Sequence, residues 1–208
     1  MLFNHPTALD QNAVLHWRDL CANGLSVQRY ASHASTLEYL APSSFLLGVL
    51  PAGTTRRGID AHFDACIAEV DLSAIFTLIA AAEARIRLDA RTRAQKTANS
   101  LAKRLALLQS HAAHDWEVPL YEGGIIDAWK DYAATLKTMR QQDRDRILTG
   151  IGGLKDALRV RHWLAHGRYW TLKKNLASYP PAAVARTIGT LYNALNEIAA
   201  LGRLSPFI

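Results

Sequence analysis

A chain of 208 residues that is 50% hydrophobic can bury a substantial core, which excludes wholesale disorder and predicts one main folded domain. Lys and Arg total 24 against 18 acidic residues, and the formal net charge of +6 suits an anionic partner without naming one. Cys21 and Cys66 lack zinc-ligand spacing and read as small apolar residues. The start carries no cleavable leader pattern and no run reads as long enough to span a bilayer, so the expected setting is cytoplasmic, without a membrane partner.

Residues 1–43 show no persistent period beyond a short helix predicted over 13–21. Residues 44–50 have the apolar density of a short strand or buried loop, closed by Pro51-Ala52-Gly53. Asp60 is placed to cap a helix reaching about 70, and Asp71 to cap a second reaching about 92. Leu72, Ile75, Ile79, Ala82 and Ile86 give that second helix one buried face, and the apolar run from Leu78 to Ala82 fits a packed helix. The expected division is an accessory segment over 1–70 and a helical domain over 71–208.

Leu101, Leu105 and Leu108 continue the helical spacing, with a bend expected near Asn99-Ser100. From Asp71 to Ser110, Arg85, Arg87, Arg91, Arg93, Lys96, Lys103 and Arg104 outnumber Asp71, Glu83 and Asp89, which suits a phosphate backbone or a solvated helix face. After Gly123-Gly124, Ile126, Trp129, Ala133, Leu136 and Met139 or Arg140 predict an amphipathic helix, with 140–146 as its wet continuation or a turn. Gly150, Gly152 and Gly153 lack the Lys-Ser/Thr of a phosphate loop. Leu154, Ala157 or Leu158, and Ala165 are expected to line the inner side of the next helix, anchored by Trp163 and Leu164. Pro180-Pro181 resets the chain before a final helix marked by Val184, Ile188, Leu191, Leu195 and Ile198. Several helices with weak strand signals predict an all-α antiparallel bundle.

The richest chemistry lies at 159–170, where Arg159, Arg161 and Arg168 stand among His162, His166, Trp163, Tyr169 and Trp170. Arg161 offers a permanent cation with a planar fork of donors, and His166 can exchange a proton near neutrality, so the pair can bind and act on a phosphate. On an ideal helix they stand roughly 140° and about 7.5 Å apart. Gly167 in a left-handed cap would put His166 in a looser last turn, from which its ring can swing back. The helix dipole repels an anion at this end and favours a protonated His166, leaving Arg161 and Arg168 to compensate. His162 and His166 have the spacing of some zinc ligands, but no Glu lies between them and no third ligand is evident, so no metal and no other cofactor is expected. The plainer reading pairs Arg161 with Glu83 or Asp156, makes His166 a helix-ending residue, and assigns the aromatics to packing.

Arg161, four intervening residues, His166 and then Gly167 resemble the signature of the HEPN-domain family, with the resemblance covering roughly 71–200. It implies a HEPN-like bundle with an irregular N-terminal extension, a homodimer, and metal-independent endoribonuclease activity. It also implies a toxin or antiviral defence effector, with an antitoxin or other regulatory protein as partner. In that carry-over His166 removes the 2′-hydroxyl proton of RNA and Arg161 stabilises charge on the phosphate, giving a 2′,3′-cyclic phosphate and a 5′-hydroxyl. Related nucleases carry an acidic or polar residue on the first bundle helix, for which Glu83 stands here as the third catalytic candidate. His162 occupies the position after the motif Arg where many relatives carry Asn, and Tyr169 is comparable with a Tyr of one toxin branch. Arg87, Arg168, His162 and Tyr169 are the auxiliary or RNA-binding candidates. The alternative expectation is a non-catalytic HEPN-like module that binds RNA or a protein, and a third is purely structural assembly.

Overall fold

The structure, a computed structural model, describes residues 10–34, 54–96, 98–114, 117–137, 139–167 and 179–207. In chain order these form α1 (Gln11–Ala34), α2 (Arg56–Ala94), α3 (Ser100–Ser110), α4 (Ile125–Thr135), α5 (Gln141–Ala165) and α6 (Pro181–Leu201). No strand occurs among the described residues, so the protein is all-α, as its sequence predicts.

Helix α2 begins where the Thr55 hydroxyl accepts from the Gly58 N–H at 3.2 Å, and it runs for 39 residues, about 58 Å, because nothing after Gly58 interrupts it. Its interior holds both aspartates expected as caps, which corrects that reading. Asp71 accepts from Arg18 Nε at 2.5 Å, while Asp60 accepts from Arg29 Nε at 2.6 Å and lies 2.7 Å from His33 Nε2. Partners on an antiparallel α1 thus take the carboxylates that a local cap would have used. The helix is continuous through Val70 and Asp71, so the expected division at that point falls inside a single element. Helix α1 is likewise longer than the predicted 13–21, whereas 44–53 lies outside the described residues.

Three apolar clusters lie along α2. The largest joins Ile86, Ala90 and Ala94 to α3, α4, the first half of α5 and the end of α6, around the fully buried Trp129. The second sets Ala74, Ile75, Leu78, Ile79 and Ala82 against Ala157 and Val160 of α5, Val184 and Ile188 of α6, and Val14 of α1. The third is small, with Ile59 and Phe63 buried and Leu25 of α1 packed on them. By length and composition α2 is also the one described helix that would suffice to cross a membrane; α1, α3, α5 and α6 pack along it.

The expected break after α2 is present, with Asn99 capping α3 by accepting from Ala102 N–H at 2.8 Å. Residues 141–146 are neither turn nor continuation of α4; they open α5, because Leu136 turns extended (ψ 100°) and ends α4 early. Gly150 lies inside α5 against the backbone of Leu191, where an added Cβ would stand 3.4 Å from its Cα, so the glycine lets α5 and α6 approach. The inner face of α5 uses Leu154, Ala157 and Val160; Ala165 is exposed instead of lining it. The five positions marked in α6 are all buried.

A second ionic tie fixes the C-terminus. Fully buried Asp89 accepts from Arg93 Nε at 2.8 Å, and Arg93 Nη2 donates to the carbonyls of Ser205 and Pro206 at 3.0 and 3.1 Å. Arg93→Ala removes the guanidinium that joins buried Asp89 to the two carbonyls and is expected to lower the unfolding free energy by about 3–5 kcal/mol, read by urea denaturation. At the other end of α2, His33 and then Arg29 hold the Asp60 carboxyl below its usual range. Its contribution is therefore complete above the ordinary carboxylate value and is lost as pH falls through the depressed one. Asp60→Asn is expected to weaken α1 docking at pH 6 and to flatten the acid limb of a stability profile below about pH 4; an unchanged acid limb would remove this role.

Candidate functional site

Helix α5 ends because Gly167 takes φ +75°, the left-handed conformation expected of it, while His166 leaves helical geometry at φ −97°, ψ 22°. The His166 N–H still donates to the His162 carbonyl at 3.1 Å, so the terminal turn closes on itself. His162 and His166 stand one turn apart with ring centroids separated by 4.2 Å and planes tilted by 58°. Both are exposed.

Beside this end of α5 lies the carboxylate of Glu83, carried by α2 and only 15% exposed. Its Oε1 accepts from Arg87 Nε at 3.1 Å and Nη2 at 2.8 Å, an i,i+4 fork on one helix. Its Oε2 lies 3.2 Å from Arg161 Nη1, which ties α2 to α5. That second contact is an ion pair without hydrogen-bond alignment: Glu83 Oε2 and Arg161 Nε are buried atoms with no hydrogen-bond partner. Arg87 Nη1 donates in turn to the Val118 carbonyl at 2.6 Å, and Arg161 Cζ lies 5.8 Å from the centre of the Phe76 ring. One carboxylate between two guanidiniums leaves a local positive excess. The Arg161 side chain, 35% exposed, carries that excess to the surface.

The sequence-selected residues thus fall into two groups. Glu83, Arg87 and Arg161 meet in one ionic cluster, and His162 and His166 meet in one ring pair. Arg161 and His166 lie at the same end of α5, Arg161 paired with Glu83 on α2 and His166 against the His162 ring. Asp156, the other partner considered for Arg161, accepts from Arg159 at 3.3 Å. Arg168 and Tyr169, with Trp170, lie outside the described residues. The basic stretch of α2 and α3 is largely committed elsewhere: Arg85 sits 4.4 Å from the centre of the Tyr192 ring, Arg93 is buried, and Arg104 bonds Asp131. No group of three or more His, Cys, Asp or Glu is placed to hold a metal among the described residues.

No protein-family model, curated protein or solved structure matches this chain. Functional assignment therefore starts from the side chains themselves.

Sequence reading missed two components of the site. Phe76 was detectable in principle, since it stands seven residues before Glu83 and so on the same stripe of α2. The Val118 carbonyl left no sequence signal, because it reaches Arg87 through the loop before α4. That loop is held by Gly124, where an added Cβ would stand 1.9 Å from the Pro119 oxygen. Glu83→Ala would leave two partly buried guanidiniums facing each other. It is expected to cost roughly 2–3 kcal/mol by chemical denaturation, whereas Arg161→Met, which keeps the contact with Phe76 and leaves Glu83 paired with Arg87, costs about 1 kcal/mol or less. Equal losses would contradict the sharing.

Proposed function

We propose that this chain is a metal-independent endoribonuclease whose working surface is the end of α5. What supports the reading is the ion pair of Arg161 with Glu83, which restrains a half-exposed guanidinium on the helix end that also carries the exposed pair of His162 and His166. A phosphodiester lying across this end meets a restrained cation at one side and an imidazole at the cap of the helix. In the proposed step His166 takes the 2′-hydroxyl proton and the 2′-oxygen forms its bond to phosphorus. The bond from phosphorus to the 5′-oxygen breaks, and that oxygen leaves with a proton, for which His162 stands beside His166. Arg161 stabilises the charge that accumulates on the non-bridging oxygens. Glu83 is a positioning residue, holding Arg161 against α2 through contacts that do not touch RNA. The setting proposed with this activity is the cytoplasm, as a toxin or defence effector restrained by a regulatory protein.

The second reading, a non-catalytic module that binds RNA or a protein, draws on the same ion pair, since a guanidinium committed to Glu83 has fewer donors to offer a phosphate. Turnover separates the two. With EDTA present, the wild type is expected to cut RNA into fragments ending in 2′,3′-cyclic phosphate, and His166→Ala to reduce the rate by about 10²–10⁴-fold without loss of helicity. RNA left intact by folded protein across a broad pH range, or cut equally well by His166→Ala, would reject catalysis at this site.

A further inference from the structure

Helix α1 turns one face to α2 and leaves the opposite face to solvent. Val14, Ala22 and Ser32 are buried on the inner side, and Arg18 and Arg29 reach the aspartates of α2 from it. The outer side carries Trp17, Leu20, Val27 and Tyr30 at 45%, 58%, 67% and 77% exposure. Trp17, Leu20, Gly24, Val27 and Ala31 follow alternating steps of three and four, the spacing of a seam between helices. At these exposures the four large side chains present a patch on the order of 500 Å², as large as the largest apolar patch of a typical monomer, which is often functional.

Three observations say what covers it. The first is charge. The only Lys, Arg, Asp or Glu residues of α1 are Arg18, Asp19 and Arg29, and both arginines are bonded to aspartates of α2; of its two histidines, His33 lies 2.7 Å from Asp60 and His16 is exposed beside the outer stripe. A nucleic acid would need free cations along this face, and a helix lying on a lipid surface would need a Lys- and Arg-rich border. The face suits another apolar helix instead.

The second is Gly24. A glycine inside a helix costs about 1 kcal/mol against alanine, and here a Cβ would meet nothing within 4 Å. Nothing among the described residues requires it, whereas a second helix crossing at this point would, because its backbone can approach closely only where no side chain stands. Trp17 and Ala31 lie seven residues either side, so an antiparallel copy of the stripe sets large against small about the same centre, the self-complementarity a two-fold contact demands.

The third is the shape of the arm, two helices packed side by side. Val14 and Leu15 join the second cluster, while further along the α1–α2 hairpin Leu25 packs on Ile59 and Phe63, Ala22 and Ser32 are buried, and Arg18, Arg29 and His33 reach Asp60, Asp64 and Asp71. The large apolar side chains in that part are few, and two hairpins packed face to face make a four-helix bundle with a core between them.

We infer that the outer face of α1 is the docking surface for a second copy of this chain, crossing antiparallel at Gly24. The inference is independent of the chemistry at the end of α5. Sedimentation of the full chain tests it. The wild type is expected to dimerise with a Kd near about 1 µM, and Gly24→Leu and Leu20→Glu/Val27→Glu are each to weaken that Kd by roughly tenfold or more while circular dichroism and Tm stay at or above the wild-type monomer values. Gly24→Leu keeps the assay informative, since it removes a helix-weakening residue and only blocks approach. A wild type that stays monomeric at all concentrations overturns the inference, as does a dimer indifferent to both variants. Hydroxyl-radical footprinting that finds Leu20 and Tyr30 protected in a monomer would assign the face to another part of the same chain and would equally overturn it.

Discussion

Two guanidinium groups from different parts of the chain close on the single carboxylate of Glu83, Arg87 from one turn along α2 and Arg161 from α5. Desolvating that carboxylate to 15% exposure is costly, and the double pairing offsets the cost only while both partners stay in reach. The end of α5 is thereby fixed to the long central helix at one point. Through Arg87 and the Val118 carbonyl the same carboxylate also steadies the loop before α4. The unaligned contact on the Arg161 side leaves this the looser half of the arrangement, where a stronger anion such as a phosphate competes on better terms.

Helix α2 distributes the remaining roles along its length. Its C-terminal half is surrounded by the large cluster and clamps the chain's end through Arg93, its middle carries Glu83 against α5, and its N-terminal part rises with α1 as an arm of small core. The Glu83 ion cluster lies between α2 and α5, and the apolar outer face lies on α1. That arrangement suits chemistry in the bundle and association in the arm.

The parts of the fold that could be read from the sequence were those decided within a few residues. The α6 stripe from Val184 to Ile198, the break before Asn99 and the left-handed Gly167 all follow from local periodicity or cap chemistry, and each stands as expected. Asp60 and Asp71 misled because a carboxylate before an apolar run looks the same whether its partner is the next turn or an arginine on another helix. Gly150 gave no hint of its purpose until Leu191 was known to lie against it. At the candidate site, Arg161, His162, His166 and Glu83 were legible as residue types in pattern, while the sharing of Glu83 with Arg87, the Phe76 ring and the Val118 carbonyl depend on contacts between helices and a loop that no spacing encodes.

The central claim is that RNA engages the end of α5 through Arg161 and the two histidines. Nitrogen-detected NMR of the His162 and His166 rings and the Arg161 Nε, during titration with a non-cleavable 2′-O-methyl RNA oligonucleotide, reads that contact directly. Saturable shifts at all three groups together are the expected result. Shifts confined to other helices, or no shift at a concentration of RNA that demonstrably binds, would contradict it.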